Sequence, residues 1–595
     1  MNFYFNPLDN ACKSVIGAVS KSQKLDIYVK TTEEGYCNLL LYRDGDFTDI
    51  SYPMQNASGG FFVSLSGLDV GLYYYKFSLN GRIFGKNSEL LAEENCFDGF
   101  QLIIYSDDYK TPEWLKGGII YQIFPDRFAK SGDFTVGVGK VKQENWGSDP
   151  IYRNNDGLVL NNEFFGGNFL GIYSKLDYLK SIGVTCVYLN PINKAYSSHR
   201  YDTGDYLAVD DVLGTEEDLE KLIQKANSLG IKFIFDGVYN HTGADSVYFN
   251  KNGNYRAIGA YNSKNSPYFD WYLFKNFPDE YESWWGFETL PSIKKDSKEF
   301  QEFICEKVIK KNIELGFSGV RLDVVDELTD EFVESIRKSG RKKDSEFLVV
   351  GEVWEDASNK IAYGVRRKYF LGSELDSVMN YPLKDGIICY LLSREAKSLS
   401  RVCKEQINNY PKPALDVLMN SLSTHDTPRI ITVLGRDNVV TDKDQMKYEF
   451  LSKREYKKGV ELTKLAYALA FTLYGVPSVF YGDEAGVSGN LDPYNRRTFP
   501  WGKEDKNLQD FIKSLAKIRN ENSVFKTGDM KILYDDNGVF IFERCDKNSQ
   551  VITVVSRRIG GMEISFDKPV YDLLTNKRYE NTVTIYENEV LILKS

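Results

Sequence analysis

Between about residue 117 and residue 522 the chain alternates short apolar runs, typical of buried strands, with longer stretches in which apolar residues recur at helical spacing. This alternation predicts a parallel sheet whose strands are joined by helices. Eight candidate strands can be counted, centred on Ile119–Phe124, Val184–Leu189, Lys232–Asp236, Val320–Asp323, Phe347–Glu352, Ser377–Asn380, Val417–Asn420 and Ser478–Tyr481. Helical segments such as Glu216–Leu229 and Leu462–Leu473 fit between them. Eight such units close into a (β/α)8 barrel, the TIM-barrel arrangement of the α/β class.

On both sides of this region short β-type runs alternate with Gly, Asp and Asn turns, which predicts flanking β-sandwiches. We therefore divide the chain into an N-terminal β-sandwich at 1–112, the catalytic-type barrel at 113–522 and a C-terminal β-sandwich at 523–595. After the third predicted strand, residues from about 242 to 298 are rich in Asn, Gly, Tyr and Trp and too numerous for an ordinary loop. We predict a small inserted domain there.

The composition of the 595 residues is that of a globular protein, with 42% hydrophobic and 27% charged residues. No apolar run reaches the roughly 18 to 20 residues that span a bilayer. Residues Met1–Gly17 lack the basic and apolar segments of a signal peptide. We therefore expect a cytoplasmic protein with no membrane partner.

The net charge and the positions of the cysteines restrict the partners and the metal or disulfide sites that can be expected. A net charge of −10 without a basic stripe argues against nucleic acid and anionic membranes as partners. The 8 cysteines are scattered and form no Cys-x-x-Cys pair, so we expect neither disulfides nor zinc. The 40 Tyr and 37 Phe residues suit stacking on sugar rings, but they equally suit β-rich cores.

The fourth predicted strand carries an arginine and a carboxylate within the otherwise apolar run Gly316–Leu328. Side chains two apart on a strand face the same way, so Arg321 and Asp323 should project together. A neighbouring guanidinium favours the ionised carboxylate, so we expect Asp323 to be ionised at neutral pH. Taken alone, the pair is better explained as a structural ion pair in the barrel wall.

Other polar residues also follow predicted strands, and in a barrel the carboxyl ends of the strands meet on one rim. These residues are Asp236, Asn240 and His241 after strand three, Arg321 and Asp323 on strand four, Glu352 on strand five, and His425 and Asp426 after strand seven. Each acid alone has an ordinary explanation, such as a helix cap, a surface carboxylate or a polar turn. Because four such explanations would have to coincide at four strand ends, we expect a functional site.

A cluster of acids at a barrel rim fits glycoside hydrolysis, in which one carboxylate attacks the anomeric carbon and another carboxyl group protonates the leaving oxygen. Asp323 suits the nucleophile because Arg321 would keep it ionised. Glu352 suits the acid because crowding by Asp323 and Asp426 would keep it protonated.

The chain has only three histidines, His199, His241 and His425, and each lies near an aspartate or an arginine in a turn-like motif. This placement indicates that histidines serve one site, where His241 and His425 would donate hydrogen bonds to sugar hydroxyls. Trp354 and Tyr201 offer faces for stacking on sugar, although either would also fit a core.

Four segments carry a resemblance to a known family: Asp236–His241, Gly319–Asp323, Gly351–Trp354 and Ser423–Asp426. In their order and in their positions on the strands they resemble the four signature regions of the α-amylase superfamily. The resemblance implies a retaining double displacement. In it Asp323 is the nucleophile, Glu352 is the acid/base, and Asp426 distorts and holds the sugar at the cleaved bond.

The resemblance also implies a set of substrate-binding residues around the reacting glucose unit. They are Tyr201 as a stacking platform, Asp236, His241, Arg321, Trp354 and His425 around the sugar, and Asp492 and Arg496 in a loop that binds the same glucose unit. We expect no metal at this site and no required cofactor. A structural calcium stays an open alternative: relatives that hold it near the first strand often use an Asn/Asp-rich loop and a Gly-Gly-Asp, where this chain has Lys130 and Asn168.

The subgroup is divided between two resemblances. Tyr121–Phe128, His199–Tyr206 and Val324–Glu327 look like neopullulanases, cyclomaltodextrinases and maltogenic amylases. Tyr281–Pro291 is closer to what amylopullulanases carry.

The resulting prediction is a retaining hydrolase of α-1,4-glucosidic bonds in maltooligosaccharides, cyclodextrins, pullulan or starch. Two alternatives share the same residues: an amylopullulanase or α-amylase that also cleaves α-1,6 bonds or starch, and a transglycosylase. A non-catalytic barrel would have lost the carboxylates, and none is lost. The α-glucan is the expected partner, and the resemblance implies that the N-terminal domain either binds starch or covers a partner's active site in a homodimer.

Overall fold

The computed structural model describes residues 3–46, 48–438, 440–447 and 449–595. Its central sheet has eight strands: Ile120–Ile123, Cys186–Leu189, Lys232–Gly237, Gly319–Leu322, Leu348–Gly351, Ser377–Val378, Met419–Ser421 and Val476–Phe480. Neighbouring strands pair in parallel, and the first strand pairs with both the second and the eighth. The predicted (β/α)8 barrel is therefore confirmed, and we number its strands one to eight.

Strands six and seven close the barrel through a single bridge, between Met379 and Met419. Beside it, the backbone N–H of Asn380 donates to the carbonyl oxygen of Met419 at 2.8 Å. The side-chain amide of Asn380 also donates to Asn420 Oδ1 at 3.0 Å and to Gln406 Oε1 at 3.1 Å. The Ser377 hydroxyl also donates to the carbonyl oxygen of Val417 at 2.7 Å. The seam of the barrel is thus held by one bridge and by buried side-chain hydrogen bonds, whereas the other strand pairs have a ladder of backbone hydrogen bonds.

The helices of the barrel region lie between and around the strands. They are Pro125–Phe128, Phe169–Tyr173, Leu176–Ser181, Glu216–Ser228, Lys298–Phe303, Lys310–Glu314, Asp330–Lys343, Tyr381–Ser393, Ala396–Asn409, Lys412–Leu415, Ile430–Gly435, Lys443–Met446, Lys453–Thr472, Lys506–Glu521 and Val524–Thr527, with a π-helical stretch at Ile304–Ile309 and 3₁₀ turns at Val325–Glu327 and Tyr494–Arg496. Short antiparallel strands Asn193–Ala195 and Thr203–Val209 follow strand two, and Val141–Lys142 pairs with Glu163–Phe164.

The helix after strand two shows how the sequence defines these elements. It begins where the Thr215 side chain accepts a hydrogen bond from the Asp218 backbone N–H and the Asp218 carboxylate accepts one from the Thr215 backbone. Such a cap is worth about 1 kcal/mol. Leu219, Leu222 and Ile223, spaced three and four apart, are buried against the barrel. Capping fixes where the helix begins, and burial of one face fixes its orientation.

The N-terminal region forms two facing sheets. Their strands are Val19–Ser20, Leu25–Lys30, Cys37–Arg43, Ile50–Pro53, Gln55–Ala57, Gly60–Leu65, Gly71–Leu79, Arg82–Lys86, Ala92–Glu94 and Phe100–Tyr105. Alternate residues of the paired strands enter one core, as in the pairs Leu25 with Leu65 and Ile27 with Val63. The period-2 pattern of the sequence therefore predicted this β-domain.

The C-terminal region is also built from strands: Asp529–Asp536, Val539–Cys545, Gln550–Ser556, Met562–Ser565, Val570–Asp572, Arg578–Tyr579, Thr582–Ile585 and Glu589–Lys594. Six of them form one sheet, and Met562–Ser565 and Thr582–Ile585 pair as a separate two-stranded antiparallel sheet, with a shared apolar core between. The boundaries 1–112, 113–522 and 523–595 stay predictions.

The long segment after strand three has little regular structure. It contains the hairpin strands Phe274–Asn276 and Glu280–Tyr281 and the 3₁₀ turns Phe269–Trp271 and Trp284–Gly286. The Trp271 ring packs 5.0 Å from the ring of Tyr248 and 5.0 Å from that of Phe300, which ties the segment to the following helix. In the described part of the chain, no helix combines the length and the apolarity needed to cross a bilayer.

Candidate active site

The guanidinium of Arg321 lies at the centre of the carboxyl rim of the barrel. Its Nη1 is 2.9 Å from Asp236 Oδ1 and 2.9 Å from Asp323 Oδ1. Its Nη2 is 2.8 Å from Glu352 Oε2. These acids belong to strands three, four and five, so one fully buried arginine gathers the carboxyl groups of three neighbouring strands.

The chain turns sharply directly after strand four. Asp323 is the first residue beyond the strand, and Val324 has a φ of 41°, which is rare for a β-branched residue. The backbone N–H of Val324 donates to Glu352 Oε2 at 2.9 Å. This strained turn therefore holds Asp323 and Glu352 in a fixed relation to each other.

Glu352 is also held from its other side. The Trp354 indole Nε1 donates to Glu352 Oε1 at 3.1 Å. The Trp354 ring lies flat on Tyr381, with centroids 4.0 Å apart and planes 5° apart, and 45% of the residue is exposed. Trp354 thus orients the carboxyl group and still offers solvent an aromatic surface.

Burial and shared charge set the protonation of the acids. Burial raises the pKa of Asp323 well above its usual value, and Arg321 opposes the rise without cancelling it. Burial, with the charge of Glu352, raises the pKa of Asp426 to about 7. Burial and Arg321 therefore act on Asp323 in opposite directions, and the ionisation of Asp323 at neutral pH stays a prediction.

A hydrogen-bond chain links His425 to Asp236. The Gln122 amide nitrogen lies 2.9 Å from His425 Nδ1, so Nδ1 accepts and the proton is on Nε2. Nε2 faces the Tyr201 hydroxyl and lies 3.1 Å from Asp426 Oδ2. The Tyr201 hydroxyl in turn donates to Asp236 Oδ2 at 2.7 Å. Burial lowers the pKa of His425 well below its usual value, so this donor is a neutral ring.

Tyr201 was predicted as a stacking platform, and its ring does lie parallel to a ring of the site. The Tyr201 and His425 ring centroids are 5.2 Å apart with planes 6° apart. The carboxyl group of Asp236, with 0% exposure, accepts from the Tyr201 hydroxyl and from the Tyr188 hydroxyl, the latter at 2.6 Å. Asp236 is therefore placed to orient Tyr201 and Arg321, and its predicted contact with substrate stays untested.

His241 is buried and neutral, because burial lowers its pKa to about 4. Its Nε2 lies 3.0 Å from the carbonyl oxygen of Tyr201, which can only accept, so Nε2 carries the proton. Nδ1 has no hydrogen-bond partner among the described residues. In this arrangement the one proton of His241 is used by the backbone, and the predicted donation from His241 to a sugar hydroxyl stays a prediction. One face of the ring stacks on Trp284, with centroids 5.2 Å apart.

The predicted binding loop reaches the same rim. Arg496 Nε donates to the carbonyl oxygen of His425 at 3.0 Å, and Nη2 lies 3.7 Å from Asp426 Oδ1. Asp492 pairs with Lys443 at 3.0 Å. Burial acts to raise the pKa of Asp492, but Arg496 and Lys443 bring it below its usual value. Asp492 is therefore a charged acceptor at the edge of the site.

All eleven predicted site residues lie at this rim, and the structure adds others that sequence reasoning missed. The additional residues are Gln122, Tyr188, Asn190, His199, Trp284 and Tyr381. Asn190 donates to the Tyr201 hydroxyl at 3.0 Å, and His199 Nδ1 accepts from the Tyr201 backbone N–H at 3.0 Å. A signal was present for Gln122 and Tyr188, which are polar residues inside predicted apolar strands.

The residues near strand one do not fit a calcium site. Asn168 Oδ1 accepts from the Gly171 backbone at 2.7 Å as a helix cap, and its Nδ2 donates to Ser131 O at 2.7 Å. The ammonium group of Lys130 lies 4.8 Å over the ring of Phe134. Across the described ranges, no group of three or more His, Cys, Asp or Glu side chains is arranged to hold a metal ion.

An eight-stranded barrel with two acids of neighbouring strands on one arginine has the architecture of a barrel glycoside hydrolase. Comparison with known proteins agrees, because residues 122–527 match the family of α-amylase catalytic domains. The chain therefore belongs to the α-amylase family of glycoside hydrolases.

The individual relatives carry several different activity names. The amylopullulanase of Thermoanaerobacterium thermosulfurigenes is 37% identical over 530 residues, covering 80% of this chain and 28% of that protein. The cyclomaltodextrinase of Thermoanaerobacter pseudethanolicus (strain ATCC 33223 / 39E) is 31% identical over 523 residues, covering 84% of this chain and 82% of that protein. The type III pullulan hydrolase from Thermococcus kodakarensis has a TM-score of 0.71 at 26% identity, covering 100% of each chain. The chain thus spans 28% to 40% of the length of the amylopullulanases it matches.

Replacing Arg321 by Lys should lower kcat by about 100-fold and also lower the melting temperature. A lysine keeps the charge, but its single ammonium group cannot contact Asp236, Asp323 and Glu352 as the guanidinium does. Steady-state kinetics and calorimetry would measure both effects. The matched control is Arg82→Lys, which alters an arginine of the surface, and it should change neither quantity. An unchanged kcat in Arg321→Lys would contradict the central role of the guanidinium.

Asp426→Asn should flatten the dependence of stability on pH. Folding raises the pKa of Asp426 to about 7, whereas in the unfolded chain the pKa of an aspartate is near 4. The contribution of Asp426 to the stability of the fold is therefore fully present below pH 4 and is lost as the pH rises toward and through 7. The amide cannot titrate. The wild-type melting temperature should therefore fall more between pH 5 and pH 8 than that of the variant, by an amount limited by the 32% exposure of the side chain. An identical fall in both proteins would refute the assignment; Asp385→Asn, at an exposed acid, should behave like the wild type.

Proposed function

We propose that the protein is a retaining hydrolase of α-1,4-glucosidic bonds in maltooligosaccharides, cyclodextrins, pullulan or starch. The observation that carries the proposal is the pair of contacts from one guanidinium, Arg321 to Asp323 and Arg321 to Glu352. Two carboxyl groups on one guanidinium are close enough for the separation of roughly 5 to 5.5 Å that retaining enzymes require.

In the first step Asp323 attacks the anomeric carbon while Glu352 gives its proton to the leaving glucosidic oxygen. The bond from carbon to the leaving oxygen breaks as the bond to Asp323 forms. Arg321 stabilises whichever carboxylate is ionised at each stage, because it contacts both acids. The step requires Asp323 as the attacking carboxylate and Glu352 as the proton donor.

In the second step Glu352, now a carboxylate, removes a proton from water, and the resulting oxygen attacks the anomeric carbon and releases Asp323. Asp426 would hold the hydroxyls of the distorted sugar, with His425 and Tyr201 fixed beside it by the Gln122 and Asp236 hydrogen bonds. Trp354 keeps Glu352 in place through both proton transfers.

A polymeric or cyclic glucan is the substrate class that the rim favours. Trp285, Phe287 and Trp354 present aromatic surface there, with 77%, 56% and 45% of each residue exposed. Exposed aromatic rings are suited to stacking on sugar units. The names of the relatives, cyclomaltodextrinase and amylopullulanase, support the same class.

Cleavage of α-1,6 bonds is a second candidate activity. It is favoured by the segment Tyr281–Pro291, which places Trp284 against His241 and resembles the amylopullulanase sequence. Transfer to a sugar acceptor is a third candidate, since the same acids would serve when a hydroxyl group of sugar replaces water. We propose the cytoplasm as the compartment, supported by the eight unpaired cysteines, which suit a reducing environment.

Asp323→Asn should reduce kcat by roughly 10³-fold or more, because an amide cannot form the glucosyl intermediate. Binding of maltooligosaccharide, measured by calorimetry, should persist. Asp385→Asn removes a carboxylate that is 70% exposed and should keep full activity. Retained turnover in Asp323→Asn would overturn the assignment of the nucleophile.

The products from pullulan and maltotriose should identify the activity. A hydrolase of α-1,4 bonds should release panose from pullulan, whereas cleavage of α-1,6 bonds should release maltotriose. Products longer than maltotriose, formed from maltotriose itself, would indicate transfer. Chromatography of both digests would separate these outcomes, and the absence of product from every α-glucan would reject the proposed function as a whole.

A further inference from the structure

A short hairpin follows strand five and projects toward the rim. Its strands are Ile361–Ala362 and Val365–Arg366. The turn residues Tyr363 and Gly364 both have positive φ, 52° and 78°, as a tight two-residue hairpin requires. Tyr363 therefore sits at the tip, with 65% of the residue exposed.

The tip of the hairpin closes against two other loops. Tyr363 Oη donates to Glu327 Oε1 at 2.9 Å, and Trp284 Nε1 donates to the same oxygen at 3.2 Å. The Lys295 ammonium lies 4.4 Å over the Tyr363 ring. The loops after strands three, four and five thus meet at one carboxylate. We call Trp284, Glu327 and Tyr363 the three-loop clasp.

The clasp adjoins the acids. Trp284 stacks on His241, and Glu327 lies four residues beyond Asp323 on the loop of strand four. Trp285, 77% exposed, continues the aromatic surface outward from Trp284. A glucan that extends along this side of the rim must pass over the clasp, whereas a short oligosaccharide confined to the acids need not reach it.

The foot of the hairpin is held by the N-terminal β-domain. Arg366 Nε and Nη2 lie 2.8 and 2.9 Å from the two carboxylate oxygens of Asp44, a two-point ion pair. Asp44 is itself fixed, because its backbone N–H donates to Leu72 O at 2.9 Å. Gln101 reinforces the contact: its amide group bonds to the side chains of Ser358 and Asn359 at 2.9 and 2.8 Å.

We propose that the N-terminal β-domain acts on the cleft of its own chain: the ion pair of Asp44 with Arg366 positions the hairpin so that Tyr363 completes the three-loop clasp, which binds the extended part of a long glucan. Asp44 and Arg366 are positioning residues in this scheme, and Tyr363 contacts the sugar. The inference rests on the proposed function, since it assigns a further binding surface to the same site.

The test is a charge exchange across the domain contact. Asp44→Arg and Arg366→Asp should each raise KM for maltoheptaose and pullulan by about threefold or more, because two like charges would push the hairpin from its place. Activity on maltotriose should change by less than about twofold. The double variant Asp44→Arg/Arg366→Asp restores opposite charges and should recover the wild-type KM. Tyr363→Phe, which removes the hydroxyl group bonded to Glu327, should raise KM for the long substrates without a change in melting temperature.

The matched control is Glu587→Arg, which reverses the charge of an acid in another interdomain ion pair. Glu587 pairs with Arg394, and neither residue belongs to the hairpin. It should leave both KM values unchanged. Equal losses on maltotriose and maltoheptaose, or no recovery in the double variant, would overturn the inference and reduce the ion pair to a structural contact. A wild-type enzyme inactive on every α-glucan would instead reject the proposed function, so the two failures are distinguishable.

Discussion

The site depends on one buried guanidinium. Arg321 has no exposure to water, so its charge must be balanced by acids, and three strands supply them. The unfavourable free energy of burying these charges is offset only while each partner stays within hydrogen-bond distance. The barrel, the turn at Val324 and the indole of Trp354 all serve this condition. Stability and catalysis therefore depend on the same groups, because the arginine that balances the charges also keeps the acids in reacting positions.

Much of this arrangement could be predicted from the sequence. Strands such as Lys232–Gly237 are apolar runs with acids at their carboxyl ends, and the barrel brings such ends to one rim. The sequence could not show that Arg321 is shared among Asp236, Asp323 and Glu352, because sharing depends on the register of three strands. The sequence showed the arginine close to Asp323 and the other acids of the rim, but not the depth of burial, which raises the pKa of the Asp323 carboxyl group.

Residues that the sequence missed have a common physical origin. Tyr188, Asn190 and Gln122 orient other side chains. They are therefore not among the reactive residues that a sequence motif identifies. Their hydrogen bonds determine which nitrogen of His425 bears the proton and which oxygen of Asp236 is occupied. A motif identifies the groups that react, whereas the fold decides in which protonation state and direction they are presented.

The seam between strands six and seven has a consequence for how the protein loses activity on heating. Where other strands share several backbone hydrogen bonds, this junction relies on one bridge, on the Ser377 hydroxyl bonded to Val417, and on the amide groups of Asn380, Asn420 and Gln406. Amide exchange with solvent deuterium should thus be fastest here among the barrel strands. Strand seven leads directly to Asp426, so partial opening of the seam displaces an acid of the site while the rest of the barrel is intact. Thermal inactivation would then precede global unfolding and remain reversible over a range of temperature.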